Sequence, residues 1–221
     1  MSSDHKPSIE KFDQQSSEEQ TQYMEQYYKL QSKIYDATRW SFLFGRKRII
    51  RELPLSQKRT SRILEVGCGT GYNLVRLAKQ FPNAELIGLD VSSDMTALSE
   101  KNTRAFSERV RIIQAPYENN HQLFEGQVDA VLFSYSLTMI NPQWSELILQ
   151  AREDLKSGGL IAVTDFHDSK NQWFKKHMSN HHVRMDGHLL PLLEKEFTPI
   201  ISEVPAAYGG IWHYLVFIGK K

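Results

Sequence analysis

Residues 63–73 read ILEVGCGTGYN, a run of apolar residues that gives way to three glycines at alternate positions. Glycine allows positive φ angles and lets a ligand approach the backbone closely. A glycine-rich turn at the carboxyl end of the first strand is where doubly wound α/β sheets bind nucleotide-like ligands. The stretch therefore predicts a buried strand followed by a ligand-binding loop.

The glycine spacing narrows the class of ligand. Gly67, Gly69 and Gly71 spell G-x-G-x-G, and Tyr72 stands where the dinucleotide fingerprint G-x-G-x-x-G has its third glycine. Asp90 ends the next apolar run, and a carboxylate there can accept two hydrogen bonds from a ribose diol. No lysine follows the glycines, which excludes a nucleoside triphosphate loop. These residues predict a ligand that has a free ribose and no pyrophosphate.

From residue 62 onward, short runs rich in β-branched residues alternate with helical patterns. In order, the segments are RILEVG, NLVRLAKQF, ELIGLD, DMTALSEKNTRAF, RVRIIQ, VDAVLFS, PQWSELILQAREDLK and LIAVTDF. Continuous apolar strands joined by helical crossovers indicate a parallel sheet buried on both faces. The KSGG sequence at 156–159 predicts a turn that ends a helix. The predicted fold class is α/β, with a Rossmann-like, mostly parallel sheet and helices on both faces.

The two ends of the chain follow other patterns. After residue 169, TPIISEV and WHYLVFIG flank Gly209 and Gly210 and predict an antiparallel hairpin at one edge of the sheet. Residues 1–16 are polar and predict a flexible tail. Helical apolar spacing after Ser16 predicts one helix, and ATRWSFLFGRKRIIREL predicts a second that ends near Pro54.

The resulting domain organisation is a single domain over residues 17–221. It consists of a helical cap (17–55), a cofactor-binding core (60–168), and a substrate-side segment with the edge hairpin (169–221). The 221 residues carry a net charge of +1, so no global field indicates nucleic acid. The single cysteine, the absence of a signal-peptide pattern and the lack of a long apolar run predict a cytoplasmic protein, with at most peripheral membrane contact.

The sequence EVGCGTG followed by GLDVSSDM resembles the class I S-adenosylmethionine-dependent methyltransferases. The resemblance implies S-adenosylmethionine as cofactor and no metal. It also implies that Asp90 binds the ribose hydroxyls and that Met95 lies against the adenine. The cofactor-binding residues implied in this way are Tyr35, Arg39, Glu65, Gly67, Cys68, Gly69, Asn73, Asp90, Val91, Met95, Pro116, Tyr117 and Ser134.

Two positions in this set, Pro116 and Cys68, differ from the other cofactor contacts. Family members often have an acidic residue after the third strand that binds the adenine amine, whereas this chain has IIQAPYEN, with Pro116 near that position. The adenine contact then falls to Tyr117, Glu118 or the backbone. Cys68 lies inside the loop without a recognisable base partner, so its side chain is expected to pack rather than to react.

The acceptor must be inferred from residues outside the cofactor half. The strand VLFSYSLTMI lacks the Asn/Asp-Pro-Pro-aromatic run of methyltransferases that act on DNA-base amines, and Asp165 and Asp168 are too few for a metal-dependent O-methyltransferase. IYDATRWSFLFGRKRII, FSYSLTMI and VTDFHDSKNQWFKKHMSNHHV are similar to the bacterial betaine-lipid headgroup N-methyltransferases. This second resemblance implies methyl transfer to an amine of a polar lipid headgroup.

Three other functions remain open from the sequence: a methyltransferase of a soluble small molecule, a non-catalytic S-adenosylmethionine-binding module and a nicotinamide oxidoreductase. The glycine spacing disfavours the last of these.

Tyr135 and His167 are the candidate catalytic residues. Tyr135 would orient the amine or pass its proton to water, and His167 would act as general base, with His182 as a second candidate. Tyr35, Trp40 and Tyr135 would line the site with aromatic faces that suit a methylated cation. The alternative for Tyr35 and Trp40 is that they only pack the N-terminal helices on the sheet.

Two charged groups allow a functional and a structural interpretation. The basic residues Arg46, Lys47, Arg48 and Arg51 beside an aromatic stretch would either contact an anionic bilayer or form the solvated face of a packed helix. The histidines at 177 and 181 have helical spacing but too few partner ligands for zinc. The oligomeric state is not predicted.

Overall fold

The computed structural model describes residues 42–117, 124 and 127–221. The predicted tail, most of the predicted helical cap and the predicted roles of Tyr35, Arg39, Trp40 and Glu118 lie outside these residues.

The described residues form eight strands and six α-helices. The strands are β1 (Arg62–Val66), β2 (Glu85–Asp90), β3 (Val110–Gln114), β4 (Val128–Ser134), β5 (Leu155–Asp168), β6 (Thr198–Glu203), β7 (Ala206–Ala207) and β8 (Trp212–Lys220). The helices are α1 (Arg46–Arg51), α2 (Tyr72–Gln80), α3 (Ser93–Thr103), α4 (Trp144–Asp154), α5 (Gln172–Asn180) and α6 (Leu189–Glu196).

All eight strands belong to one sheet with the order β3-β2-β1-β4-β5-β8-β6, and β7 pairs with the start of β8. Strands β1 to β5 are parallel to one another, whereas β8 is antiparallel to both β5 and β6. The predicted Rossmann-like sheet and its antiparallel C-terminal pair are therefore confirmed. The carboxyl ends of β1, β2, β4 and β5 meet at one edge, which also receives the start of β8.

Alternate residues of each central strand point to opposite faces of the sheet, and each face is covered by its own hydrophobic core. Both sets of side chains are therefore apolar, which explains the continuous apolar runs in the sequence. Leu64 of β1 and Phe133 of β4 pack with α4 and α6 on one face. Ile63 and Leu132, their neighbours in the sequence, pack with α1 and α2 on the other face.

The second predicted helix is shorter than its sequence pattern indicates. In the described part it begins at Arg46, because Gly45 adopts a φ of 82° and turns the chain. A Cβ on Gly45 would lie 2.5 Å from Thr164 Oγ1, so only glycine fits there. The preceding carbonyl, that of Phe44, accepts hydrogen bonds from Tyr135 Oη at 2.8 Å and Thr164 Oγ1 at 3.2 Å. These contacts dock residues 44–45 on the carboxyl ends of β4 and β5.

The predicted KSGG turn is wrong in detail, because residues 156–159 belong to β5. Val128 pairs with Leu155 and Ala130 with Leu160, and Gly158 absorbs this register shift with a φ of 76°. The sequence reasoning also missed α5 and α6. The side chain of Asn171 caps α5 by accepting a hydrogen bond from the Phe174 amide at 3.0 Å.

Candidate active site

The glycine loop connects β1 to α2 and is held by close packing. Gly67, Gly69 and Gly71 have φ angles of 70°, 53° and 76°. A Cβ on Gly67 would lie 2.7 Å from Ser136 Cβ, and one on Gly71 would lie 2.5 Å from Ser99 Oγ. The loop therefore needs glycine at both positions, for conformation and for space.

Asp90 joins the end of β2 to this loop. Its carboxylate accepts hydrogen bonds from the amides of Gly69 at 2.7 Å and Ser92 at 3.0 Å. Because each carboxylate oxygen has more than one acceptor site, Asp90 can hold the loop and still accept a hydroxyl from a ligand.

Glu65 is almost completely buried, with 1% of its surface exposed. Asn73 donates a hydrogen bond to Glu65 Oε1 at 2.7 Å, and Arg46 in turn donates to Asn73 Oδ1 at 3.2 Å. Burial raises the pKa of Glu65 to about 8. Glu65 Oε2 is buried and has no hydrogen-bond partner among the described residues. A buried oxygen of this kind suits a cationic or hydrogen-donating group of a ligand.

Ser134 lies at the end of β4, and its buried Oγ likewise has no partner in the described part of the chain. Val91 follows Asp90 and is partly exposed, whereas Met95, in the first turn of α3, is buried. Pro116 lies just beyond β3, the edge strand next to β2, and is partly exposed. Ser134 can thus meet a ligand at the end of β4, and Val91 and Pro116 can meet one near β2.

Two of the predicted cofactor contacts have side chains committed to the core. The ring of Tyr117 lies edge-on to Phe133 at 6.2 Å, and its hydroxyl donates to Asp154 at 2.5 Å. An adenine contact from Tyr117 would therefore have to come from its backbone. Cys68 packs in the core, and burial raises the pKa of its thiol well above the usual range. The Cys68 side chain thus packs in the core, as its sequence context predicted.

Tyr135 lies where the chain leaves β4 and has a φ of 58°. It is buried, its ring meets Phe166 edge-on at 4.8 Å, and its hydroxyl donates to the Phe44 carbonyl. Burial raises the pKa of the phenol well above its ordinary value. Tyr135 is thus a hydrogen-bond donor and not a base at neutral pH.

An aromatic cluster lies beside Tyr135, at the carboxyl end of β5 and the start of β8. It is formed by Phe44, Phe166, Phe174, Trp212 and Tyr214, whose ring centroids lie 5.1–6.3 Å apart in the contacting pairs. The cluster covers this end of the sheet with apolar rings.

His167 lies in a bulge of β5 and is half-buried. Burial lowers the pKa of the imidazole below 6.5, so the ring is neutral at pH 7 and can accept a proton. Its ring packs against Gly187, where a Cβ would lie 3.2 Å from His167 Cε1. His182, the second candidate, lies in the turn after α5 with a φ of 60°, and burial lowers its pKa as well.

The structure also brings together a pair that the sequence reasoning missed. His188 Nδ1 bonds to Asp186 Oδ1, the imidazole lies edge-on to Trp144 at 4.7 Å, and Nε2 is buried without a partner among the described residues. An aspartate that orients an imidazole is a common general-base arrangement. The D-x-H spacing is its only signal in the sequence.

The predicted basic cluster is largely engaged within the protein. The guanidinium of Arg46 lies 4.1 Å from the centroid of the Tyr72 ring. Arg48 pairs with Glu52 at 2.9 Å and with Glu203 at 2.8 Å. These contacts favour the interpretation of α1 as a packed helix with a solvated face.

The described residues contain no group of three or more His, Cys, Asp or Glu side chains that could hold a metal ion. In the same part of the chain, no helix is long and apolar enough to cross a membrane.

Comparison with known proteins agrees with this geometry. The family model for a methyltransferase domain matches residues 63–159, the region that carries β1, the glycine loop and Asp90. This region is similar to a methyltransferase domain. The solved structure of the 1,6-didemethyltoxoflavin-N1-methyltransferase of Burkholderia thailandensis, with bound 1,6-didemethyltoxoflavin and S-adenosylhomocysteine, is similar with a TM-score of 0.70. That similarity covers 94% of this chain and 91% of the other at 18% identity, and it confirms the Rossmann-like α/β fold.

Curated relatives are similar over part of their length. The probable S-adenosylmethionine-dependent methyltransferase CRG1 of Saccharomyces cerevisiae is 28% identical over 58% of this chain and 46% of its own length. The carboxy-S-adenosyl-L-methionine synthase of Nautilia profundicola is 29% identical over 53% of this chain and 49% of its own length. The chain thus spans just under half the length of these two relatives. Both relatives are named for S-adenosylmethionine, and CRG1 is named a probable methyltransferase.

Proposed function

We propose that this protein is an S-adenosylmethionine-dependent methyltransferase that methylates an amine of a polar lipid headgroup. The observation that carries the methyltransferase proposal is the buried, unpartnered Oε2 of Glu65 next to the glycine loop and Asp90. This arrangement fits a ligand with an ammonium group at one end and a ribose at the other.

The residues present fit the cofactor at both of these ends. Glu65 and the unpartnered Ser134 Oγ would meet the amino-acid end, close to Gly67 and Gly69. Asp90 would accept the ribose hydroxyls. The adenine would lie near Val91, Met95, Pro116 and the backbone of Tyr117, and Asn73 would keep Glu65 in place.

When bound, the cofactor supplies an electrophilic methyl group on a positively charged sulfur. The chain must then present a neutral amine to it. An amine with a pKa near 10.4 is almost wholly protonated at pH 7, and freeing its lone pair costs about 4–5 kcal/mol. We assign proton acceptance to His167, which burial keeps neutral. The Tyr135 hydroxyl donates its proton to the Phe44 carbonyl, and its oxygen would orient the acceptor by accepting a hydrogen bond from the amine N–H. Alignment of the two reactants can lower the barrier by roughly 7–11 kcal/mol.

The second part of the proposal is that the methyl acceptor is an amine of a lipid headgroup. It is supported by the resemblance of three segments to the betaine-lipid headgroup N-methyltransferases and by the aromatic cluster beside Tyr135, since aromatic faces attract methylated cations. Tyr35 and Trp40 would complete the aromatic lining, and Arg39 would contact the cofactor or a carboxylate of the substrate. The protein would work in the cytoplasm, at the inner membrane surface.

A second candidate is a methyltransferase of a soluble small molecule. The observation that favours it is the similarity to the 1,6-didemethyltoxoflavin-N1-methyltransferase, which was solved with 1,6-didemethyltoxoflavin and S-adenosylhomocysteine bound.

An acceptor survey separates these functions. Purified protein is incubated with methyl-labelled S-adenosylmethionine and either a host lipid extract supplemented with diacylglyceryl-homoserine or an aqueous metabolite extract. Label in the organic phase, identified by mass, supports the lipid acceptor and counts the methyl groups added. Label confined to the aqueous phase supports the small-molecule enzyme. Cofactor binding without any transfer contradicts both proposals and leaves a module that only binds.

A further inference from the structure

Four large apolar side chains are exposed at the edge of the sheet that carries the candidate active site. They are Phe42 (41% exposed), Trp173 (74%), Tyr208 (50%) and Ile211 (47%), and we call them the apolar rim. Trp173 lies on α5, which follows the carboxyl end of β5. Tyr208 and Ile211 directly precede β8, whose first residues pair with the last residues of β5. The apolar rim therefore lies near the carboxyl end of β5, which carries His167, and this end is called the acceptor side of the candidate site.

The packing beneath the rim fixes its outward direction. The rings of Phe174 and Trp212 stack at 6.3 Å inside the protein, so that their sequence neighbours Trp173 and Ile211 lie at the surface. Ser169 Oγ donates to the Ile211 carbonyl at 2.5 Å and ties the start of α5 to the rim.

Phe42 meets Tyr208 at 6.3 Å between ring centroids and extends the same surface. A Cβ built on Gly209 or Gly210 would have no atom within 4 Å, so the tip between Tyr208 and Ile211 is open.

The rim is flanked by positive charge. Residues 169–182 contain three lysines, three histidines and no acidic residue. Lys170 and Lys176 are exposed, whereas Lys175 forms an ion pair with Asp168 at 2.5 Å. On the outer face of α5, His177 stacks on Trp173 at 5.7 Å. The surface thus combines aromatic and aliphatic side chains with lysines, which is the composition of an interfacial membrane-binding face.

We propose that the apolar rim, with Lys170 and Lys176, docks on an anionic lipid bilayer. Tyr and Trp suit the boundary between headgroups and acyl chains because one end of each side chain is apolar and the other polar, and lysines attract anionic headgroups. A second copy of the chain fits this face less well, because a symmetric contact would bring the lysines of both copies together. The inference deepens the proposed function, since docking in this orientation would present a headgroup to the acceptor side of the site.

The test uses the full chain and vesicles of two compositions, phosphatidylcholine alone and phosphatidylcholine with an equal amount of phosphatidylglycerol. We expect co-sedimentation with the anionic vesicles, weaker binding at high salt, and a blue shift of tryptophan emission that Trp173→Phe removes. Lys176→Gln is expected to lower the partition coefficient about fivefold, and Lys170→Gln to have a similar effect.

Two matched controls lie on other surfaces: Lys101→Gln on α3 and Leu149→Ala on α4, where Leu149 is 43% exposed. Both are expected to leave vesicle binding unchanged. The proposal is overturned if the wild-type protein does not bind anionic vesicles, if the controls weaken binding as much as the rim variants, or if Trp173 emission reports only self-association without vesicles.

Failure of docking is distinguishable from failure of the proposed function. Methyl transfer to a detergent-dispersed headgroup lipid does not need a bilayer, so the rim variants are expected to keep that activity. Methyl transfer to the lipid in detergent without any vesicle binding refutes the proposed docking by the apolar rim and leaves the proposed lipid acceptor standing. Vesicle binding that depends on the rim supports docking, even when the acceptor survey shows no labelled lipid.

Discussion

The carboxylate of Asp90 accepts a hydrogen bond from the Gly69 amide at 2.7 Å, across the gap between β2 and the glycine loop. The same carboxylate accepts the Ser92 amide just before α3. Asp90 therefore fixes the loop as well as facing the predicted ribose position. Removing the Asp90 carboxylate should therefore lower both the stability of the free protein and its affinity for the cofactor.

We expect Asp90→Ala to weaken S-adenosylmethionine binding by about 1.5–3 kcal/mol, because charge-assisted hydrogen bonds are lost. The variant should also melt at a lower temperature, since two backbone amides lose their acceptor. Isothermal titration calorimetry and thermal unfolding measure the two effects. Asp94→Ala, four residues further along, is the control. Unchanged affinity in Asp90→Ala would contradict the ribose assignment.

The raised pKa of Glu65 predicts an unusual dependence of stability on pH. The folded protein holds this proton up to a pKa of about 8, whereas the unfolded chain releases it near 4.5. Stability without cofactor should therefore fall as the pH rises between these values, by at most about 1.4 kcal/mol per pH unit. Asp165, whose pKa burial raises to about 6, contributes a slope of the same sign at lower pH. Between pH 6.5 and 7.5 Asp165 no longer contributes. His167 and His182, whose pKa values burial lowers, contribute a slope of opposite sign, so Glu65 is identified by the difference between the wild-type protein and a Glu65 variant.

Glu65→Gln should remove the Glu65 contribution, so that the free energy of unfolding in urea no longer falls between pH 6.5 and pH 7.5 as it does in the wild-type protein. An identical slope in the variant would show that Glu65 is not the responsible group. Asp165→Asn is the control, because its effect belongs to lower pH.

Cofactor binding should release the same proton. A cationic ammonium near Glu65 favours the carboxylate, so binding at pH 7 should ionise a group that is largely protonated in the free protein. Calorimetry in buffers of different ionisation enthalpy counts the protons released. We expect close to one for the wild-type protein and none for Glu65→Gln. Zero release in both proteins would argue that the cationic end of the cofactor lies elsewhere.

The strands and the glycine loop could be predicted because their signals are local. β1 reads as one apolar run, and each glycine is needed at its own position. The helices α5 and α6 have weaker signals. Phe174 is the single buried residue of α5, and Pro191 interrupts the apolar pattern in the first turn of α6, where proline is tolerated.

The polar contacts of the site could not be predicted in this way, since they join distant segments. Tyr135 donates to a carbonyl 91 residues away, and Asp186 and His188 lie in an irregular segment without periodicity. Tyr117 shows a related limit. Its position after β3 predicts an adenine contact, but its hydroxyl has a buried partner on α4, so only its backbone is free to make that contact.

Tyr135→Phe tests whether this hydroxyl acts on the acceptor or only on the fold. Loss of its hydrogen bond to the Phe44 carbonyl should lower the free energy of unfolding by about 0.5–1.5 kcal/mol. Thr164→Val is the matched control, because Thr164 donates to the same carbonyl. A role at the acceptor predicts that turnover falls in Tyr135→Phe and not in Thr164→Val, with cofactor affinity unchanged in both. Equal turnover in the two variants would make the contact purely structural.

We expect the protonation of His167 to determine how turnover depends on pH. Because burial lowers its pKa below 6.5, the base form dominates at pH 7, and turnover with a saturating acceptor should fall as the pH drops through that pKa. His167→Gln should lower kcat by about 10²–10⁴-fold and remove the acidic limb of the profile. His182→Gln and His188→Gln are the comparison variants. If His188→Gln abolishes the limb while His167→Gln keeps it, the base is the imidazole that Asp186 orients, and His167 serves only to pack against Gly187.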